Sequence, residues 1–207
     1  MVCSSDTGNI ITSGGGFSEY YDQPTFQKAT VAGYFAAVKG TTNDPYAGFN
    51  ASKRAYPDVS LAGANYLVIT GIETYGLYST SAAAPVVAGF FSNINAARLA
   101  AGKGSLGWVN PALYTNPSAF VNDITRGNNK CAALNQYATF TCCRQGFSAV
   151  TGWDPATGLG SIDYKKLAAS QNPPPSQAPI ASVLPAVKGS SSRNIPGMYV
   201  SMICPRS

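Results

Sequence analysis

The residues able to do chemistry in this 207-residue chain are few, because histidine is absent. Without it, neither a Ser-His-Asp triad nor the usual His-bearing zinc site can be assembled. Acid–base work therefore falls to Asp, Glu, Lys, Tyr or Cys. The nine carboxylates are Asp6, Glu19, Asp22, Asp44, Asp58, Glu73, Asp123, Asp154 and Asp163. One serine stands in a useful place. Ser81, in Ser79-Thr80-Ser81-Ala82-Ala83-Ala84-Pro85, opens an alanine-rich stretch that reads as a helix. Free N–H groups and the positive end of a helix dipole favour negative charge developing at such a start. Small neighbours leave room for a peptide to approach. The plain alternative is that Ser79 or Ser81 only caps the helix.

A second set of candidates comes in two pieces, Asp123-Ile124 and Gly152-Trp153-Asp154-Pro155-Ala156-Thr157-Gly158-Leu159-Gly160. Two carboxylates and several free carbonyls from glycine-rich loops form the donor set that calcium prefers, hard oxygens in flexible geometry. The competing reading is that Asp123 caps a turn and Asp154-Pro155 starts one.

The elements that must position these residues follow from pattern and punctuation. Ser13-Gly14-Gly15-Gly16-Phe17-Ser18 is a backbone-driven segment, where glycines supply positive φ and close approach. Gln23 to Val38 has helical spacing and is opened by Pro24. Pro57–Ala62 and Tyr66–Thr70 read as two short buried strands, and Gly71–Tyr78 as a hairpin returning towards Ser79. Ser81 to Leu99 is the longest predicted element, a helix apolar nearly all round and therefore expected to be buried, with Pro85 in its first turn. Gly104 to Asn116 reads as loop and short helix, and Phe120 to Gly160 as irregular chain holding a cysteine cluster. Residues 171–207, with Pro173-Pro174-Pro175-Ser176, read as a disordered tail without a core of its own. The folded part is thus expected over residues 1–170.

Composition narrows the class further. Hydrophobic residues make up 45% and charged residues 11%, a globular profile. The net charge of +5 is scattered, with no basic run longer than two residues, so nucleic acid is not an expected partner. No apolar run is long enough to span a membrane. Five cysteines leave at least one unpaired within the chain, and Cys131 with Cys142 or Cys143 could close a small loop. Asn50-Ala51-Ser52 is an N-glycosylation sequon. Met1–Asp6 has neither the basic start nor the apolar core of a signal peptide.

The succession of motifs carries a resemblance that no single one does. In order they are Ser-Gly-Gly-Gly-Phe-Ser (13–18), Arg54 with Tyr-Pro-Asp-Val-Ser (56–60), Thr-Ser-Ala-Ala-Ala-Pro (80–85) and Leu-Gly-Trp-Val-Asn-Pro-Ala-Leu-Tyr (106–114). Asp-Ile (123–124) with Gly127-Asn128 follows, and then residues 152–160. Over residues 8 to about 168 this resembles the sedolisin family of serine-carboxyl peptidases, tripeptidyl peptidases included. The resemblance implies an α/β fold, a subtilisin-like parallel sheet with flanking helices, truncated here on its N-terminal side. It implies Ser81 as the nucleophile, the side chains of Asp123 and Asp154 as calcium ligands, and Ile124, Val150 and Gly152 as donors of backbone carbonyls to the same single ion. It further implies a peptide or protein substrate and a secreted protein; the sequence does not set the oligomeric state, for which a monomer is the expectation.

Two departures from the family pattern matter. Ser79 replaces the usual glycine two before the nucleophile, and its Cβ would crowd the turn if that position needs positive φ. The glutamate and aspartate that serve the serine, and the oxyanion aspartate, belong in the family before the glycine triplet. Ser4-Ser5-Asp6-Thr7-Gly8 only partly matches the oxyanion motif, and residues 1–12 read better as a strand and loop. Asp58 and Glu73 lie near Ser81 in sequence, without an assigned role. The expectation is a peptidase sequence whose nucleophile has no base, the alternative being an inactive copy that retains at most calcium binding.

Overall fold

The computed structural model describes residues 1–133, 139–171, 198 and 200–203. Among the described residues fourteen α-helices and strands follow one another: β1 (Gly16–Asp22), α1 (Thr25–Val38), β2 (Lys53–Tyr56), β3 (Val59–Ala62), β4 (Tyr66–Thr70), β5 (Glu73–Leu77), α2 (Thr80–Ala100), α3 (Asn110–Thr115), β6 (Val121–Asn122), β7 (Cys131–Ala133), β8 (Phe140–Cys142), β9 (Ser161–Ile162), α4 (Tyr164–Gln171) and β10 (Val200–Ile203).

The central sheet has the order β10-β3-β9-β6. β3 runs parallel to both β10 and β9, and β6 closes the far edge antiparallel to β9. The remaining strands form three antiparallel pairs, β1 with β2, β4 with β5 and β7 with β8. The fold is α/β with parallel strands between helices, as expected. Parallel strands need cover on both faces, and β3 has it: Val59 and Ser60 are fully buried.

One apolar core joins α1, α3, α4 and the inner face of α2 to the sheet. Its members include Val31, Val38, Val59, Val87, Ile94, Leu113, Phe120 and Leu167. An aromatic cluster extends it under β1. Phe17 stacks on Phe35 and Phe49, with ring centroids 5.7 and 4.9 Å apart, and meets Trp153 edge-on at 6.4 Å.

Three expectations need correction. β4 is not a buried strand: Leu67 and Ile69 are about 70% exposed, because β4 pairs only with β5 and the hairpin projects from the body. Nor is α2 buried all round. Only Ala83, Val87, Ile94 and Arg98 are covered, one stripe at helical spacing, since packing partners lie on one side. Pro85 falls beyond the first turn, at the sixth helical residue, where it withholds an N–H from the Ser81 carbonyl.

The segment read as a tail lies mostly outside the described residues. Of it, Gln171 closes α4 and Val200–Ile203 forms β10 in the central sheet. The cysteine question resolves to Cys131–Cys142, paired across β7 and β8; Cys3 is also disulfide-bonded and Cys143 is a free, exposed thiol.

Candidate active site

Ser81 is the second residue of α2 and is exposed. Ser79 is the N-cap: its hydroxyl accepts the Ser81 N–H at 3.1 Å, and its own N–H is tied to the Gly63 carbonyl at 2.9 Å. Its φ of −162° is extended backbone, which any residue adopts. The crowding expected of serine in place of glycine therefore does not arise, and the side chain adds a cap instead. An open cleft of about 360 Å³ borders this turn, lined by Ile11, Thr12, Tyr78, Ser79 and Thr80. A second of about 280 Å³ lies on the other side of Thr80, against Gly14, Gly15 and Tyr56.

Neither nearby carboxylate serves the serine. Asp58 is fully buried, held by the Arg54 guanidinium at 2.7 Å to both oxygens. It also accepts from Tyr114 at 2.8 Å and from Asn110 at 3.2 Å. Gln27 bridges Tyr114 and the Ala55 carbonyl. Burial first, and then the Asp58 charge, push the Tyr114 hydroxyl well above its ordinary pKa. Glu73 lies on the exposed hairpin, bonded to the Tyr75 hydroxyl. Among the described residues no carboxylate is hydrogen-bonded to Ser81.

This buried network is what sequence reasoning missed. The available signal was an arginine and an aspartate four apart inside an otherwise apolar stretch, since charges are almost never fully buried unless paired.

The motifs read separately in the sequence dock on one another. Gly15 lies so close to the loop after Trp153 that a Cβ would fall 1.7 Å from the Pro155 carbonyl oxygen. Gly158, at φ +65°, backs onto Asp58, where a Cβ would sit 2.5 Å from main-chain atoms. The Trp153 indole donates to the Pro57 carbonyl at 2.9 Å, and Leu159 N–H to the Asp58 carbonyl at 2.8 Å. The loop over residues 152–160 thus clamps β3 and the glycine segment together.

Two hydrogen bonds link expected cation-site residues to one another: Gly152 with Asp123, and Val150 with Asp154. Asp123 accepts the Gly152 N–H at 2.8 Å, and Ile124 follows it directly in the chain. Asp154 is fully buried and accepts from Ala156 N–H (2.9 Å), Thr157 N–H (2.8 Å), the Thr157 hydroxyl (3.0 Å) and Val150 N–H (3.3 Å). Its burial outweighs those donors and pushes its pKa up to about 7. No basic side chain among the described residues is paired with it, and no group of three or more His, Cys, Asp or Glu surrounds it. Any ion here would rely on two carboxylates and main-chain oxygens.

Comparison with known proteins places this arrangement. No family model matches the chain. Physarolisin of Physarum polycephalum is 42% identical over 174 residues, which are 82% of this chain and 28% of that protein. Tripeptidyl-peptidase sed1 of Aspergillus fumigatus is 41% identical, over 75% of this chain and 24% of that one. The solved structure of Pseudomonas sedolisin, a serine-carboxyl proteinase complexed with two molecules of pseudo-iodotyrostatin, superposes with a TM-score of 0.52 and 30% identity. That match covers 76% of this chain and 36% of the other. This is a sedolisin-family sequence. The sedolisin-family chain spans about a quarter of the length of the curated relatives it matches, and the Aspergillus fumigatus relative is by name a tripeptidyl-peptidase.

Proposed function

We propose that this sedolisin-family chain carries the nucleophile and the cation site of an acid-acting serine peptidase, whose substrates are peptides or proteins outside the cell. Ser81 is the nucleophile in this reading. It stands exposed at the positive end of α2, on a turn that Ser79 holds rigid and that two clefts flank. Such a position can stabilise an oxyanion and admit an extended chain. The base would be a carboxylate, which stays ionised where histidine is protonated. Asp58 is excluded from that role by its ion pair with Arg54. The disulfide Cys131–Cys142 and the exposed sequon Asn50 suit an oxidising compartment. The scattered charge suits a protein without a nucleic-acid partner.

One calcium ion would be held by the side chains of Asp123 and Asp154 and the carbonyls of Ile124, Val150 and Gly152. The supporting observation is Asp154, a fully buried carboxylate without a cationic partner among the described residues. The donor set is all oxygen, which suits a hard cation. Calcium would supply charge compensation and tie the Asp123 strand end to the clamp loop.

A second reading has one observation behind it: no base is hydrogen-bonded to Ser81 among the described residues. The chain alone is then a cation-binding protein without turnover, because a serine lacking its base is a poor nucleophile. Two measurements test the proposal. Millimolar calcium should raise the thermal midpoint of the purified chain and chelation should lower it, while Asp123→Asn should abolish the difference. An unchanged midpoint would remove the cation assignment. In mild acid the chain alone should hydrolyse no peptide, and turnover abolished by Ser81→Ala would establish an active site complete within it.

A further inference from the structure

The outer edge of β3 is covered by a segment that comes from far along the chain. β10 pairs in parallel with β3 over its whole length, Val200 opposite Val59, Ser201 opposite Ser60, Met202 opposite Leu61 and Ile203 opposite Ala62. Ser60 gives its N–H to the Gly160 carbonyl at 2.9 Å, on the β9 side. Alternate residues of a parallel ladder face opposite neighbours. It is therefore Val59 and Leu61 whose main-chain groups face β10, and Ser201 whose N–H and carbonyl meet them. The same serine is 4% exposed, and its hydroxyl donates to the Gly14 carbonyl at 3.0 Å. β10 also packs on α2, and Val200 and Ser201 line the 280 Å³ cleft with Gly14, Gly15 and Thr80.

We propose that the edge of β3 is an acceptor groove for one extended strand, and that Val200–Ile203 is its resident occupant, supplied by the chain itself. Three features define the groove: the edge of β3 opposite β9, the Gly14 carbonyl as an acceptor, and the wall of α2. An edge strand left open is a template for pairing with any passing chain. Occupancy by β10 covers that edge of β3 and supplies one wall of the cleft that Thr80 lines. The inference concerns the sheet edge and does not depend on Ser81 being a nucleophile.

Hydrogen exchange of the full chain tests it. The Leu61 amide should be protected, and Ser201→Pro, which removes the ladder N–H, should cut its protection by about tenfold or more. Ser201→Ala keeps the ladder and should leave that protection intact. In the same Ser201→Pro chain the amides of β7 and β8 should exchange unchanged, which separates loss of one strand from unfolding. A chain ending at Gln171 should bind a peptide of residues 197–203 and regain Leu61 protection, and the peptide carrying Ser201→Pro should do neither. A Leu61 amide that stays protected in the Ser201→Pro chain overturns the proposal. So does a shortened chain that is folded yet ignores the peptide. Should the shortened chain not fold, the Ser201→Pro exchange alone decides.

Discussion

Three residues show how burial sets behaviour. Asp58 and Arg54 are buried together, and each is tolerable only because the other is there. Removing one partner of such a pair costs about 3–5 kcal/mol, since the remaining charge stays out of water. Asp58→Asn should therefore lower unfolding free energy by that order in a denaturant titration, whereas removing the exposed Lys53–Asp22 contact should change it by less than about 1 kcal/mol. Asp154 has the opposite problem, a buried carboxylate with no basic partner among the described residues. Its pKa is raised to about 7, so between the unfolded value near 3.8 and 7 the folded state holds a proton that the unfolded state has lost. Stability in the presence of a chelator should then be greatest below about pH 4, fall as pH rises to about 7, and level off above it. Asp154→Asn should flatten that slope, read as thermal midpoint against pH; an unchanged slope would assign the dependence to other groups.

At the scale of elements, the start of α2 and the clamp loop carry the argument. Ser79 sits in extended backbone and caps α2 through its hydroxyl. Ser79→Gly should therefore give no stabilisation from relieved strain, and instead a loss of a few tenths of a kcal/mol, with about 1 kcal/mol for Ser79→Ala. Measured midpoints that rise in Ser79→Gly would show the turn to be strained after all. Gly158 combines φ +65° with main-chain atoms where a Cβ would go. Position and conformation both forbid a side chain there, so the clamp loop cannot close on β3 with any other residue.

Over the whole molecule, apolar surface is unevenly shared. The core is filled on one side of α2, while Leu67, Ile69 and Ile72 on the hairpin and Leu99 at the helix end remain exposed. Exposed apolar side chains grouped on one hairpin, as Leu67 and Ile69 are, favour association. Replacing Leu67 and Ile69 with threonine should reduce binding of a hydrophobic dye and any concentration-dependent sedimentation, with a stability change within about 0.5 kcal/mol because nothing is unpacked. A large fall in midpoint would mean that the hairpin packs on the body in solution.

Much of the site was legible before any coordinates, and the reason is local. Glycine triplets, an Asp-Pro turn, a serine before an alanine run and helical spacing in α1 are short-range statements about backbone conformation, which neighbours in sequence decide. The order of those motifs carried the family, and two of the residue pairs named for a cation are hydrogen-bonded, Gly152 to Asp123 and Val150 to Asp154. What sequence could not decide was environment. Whether β4 and the far side of α2 are buried depends on partners distant in the chain, and periodicity reports an apolar face without saying whether anything covers it. The pairing of Arg54 with Asp58 and Tyr114, the choice of Cys142 over Cys143 and the capture of Val200–Ile203 by β3 are likewise contacts between remote segments. Residue types and spacing set what Ser81 and Asp154 are able to do; only tertiary packing settled that Asp58 is locked into its pair with Arg54, and that Asp154 is buried with no counter-charge among the described residues.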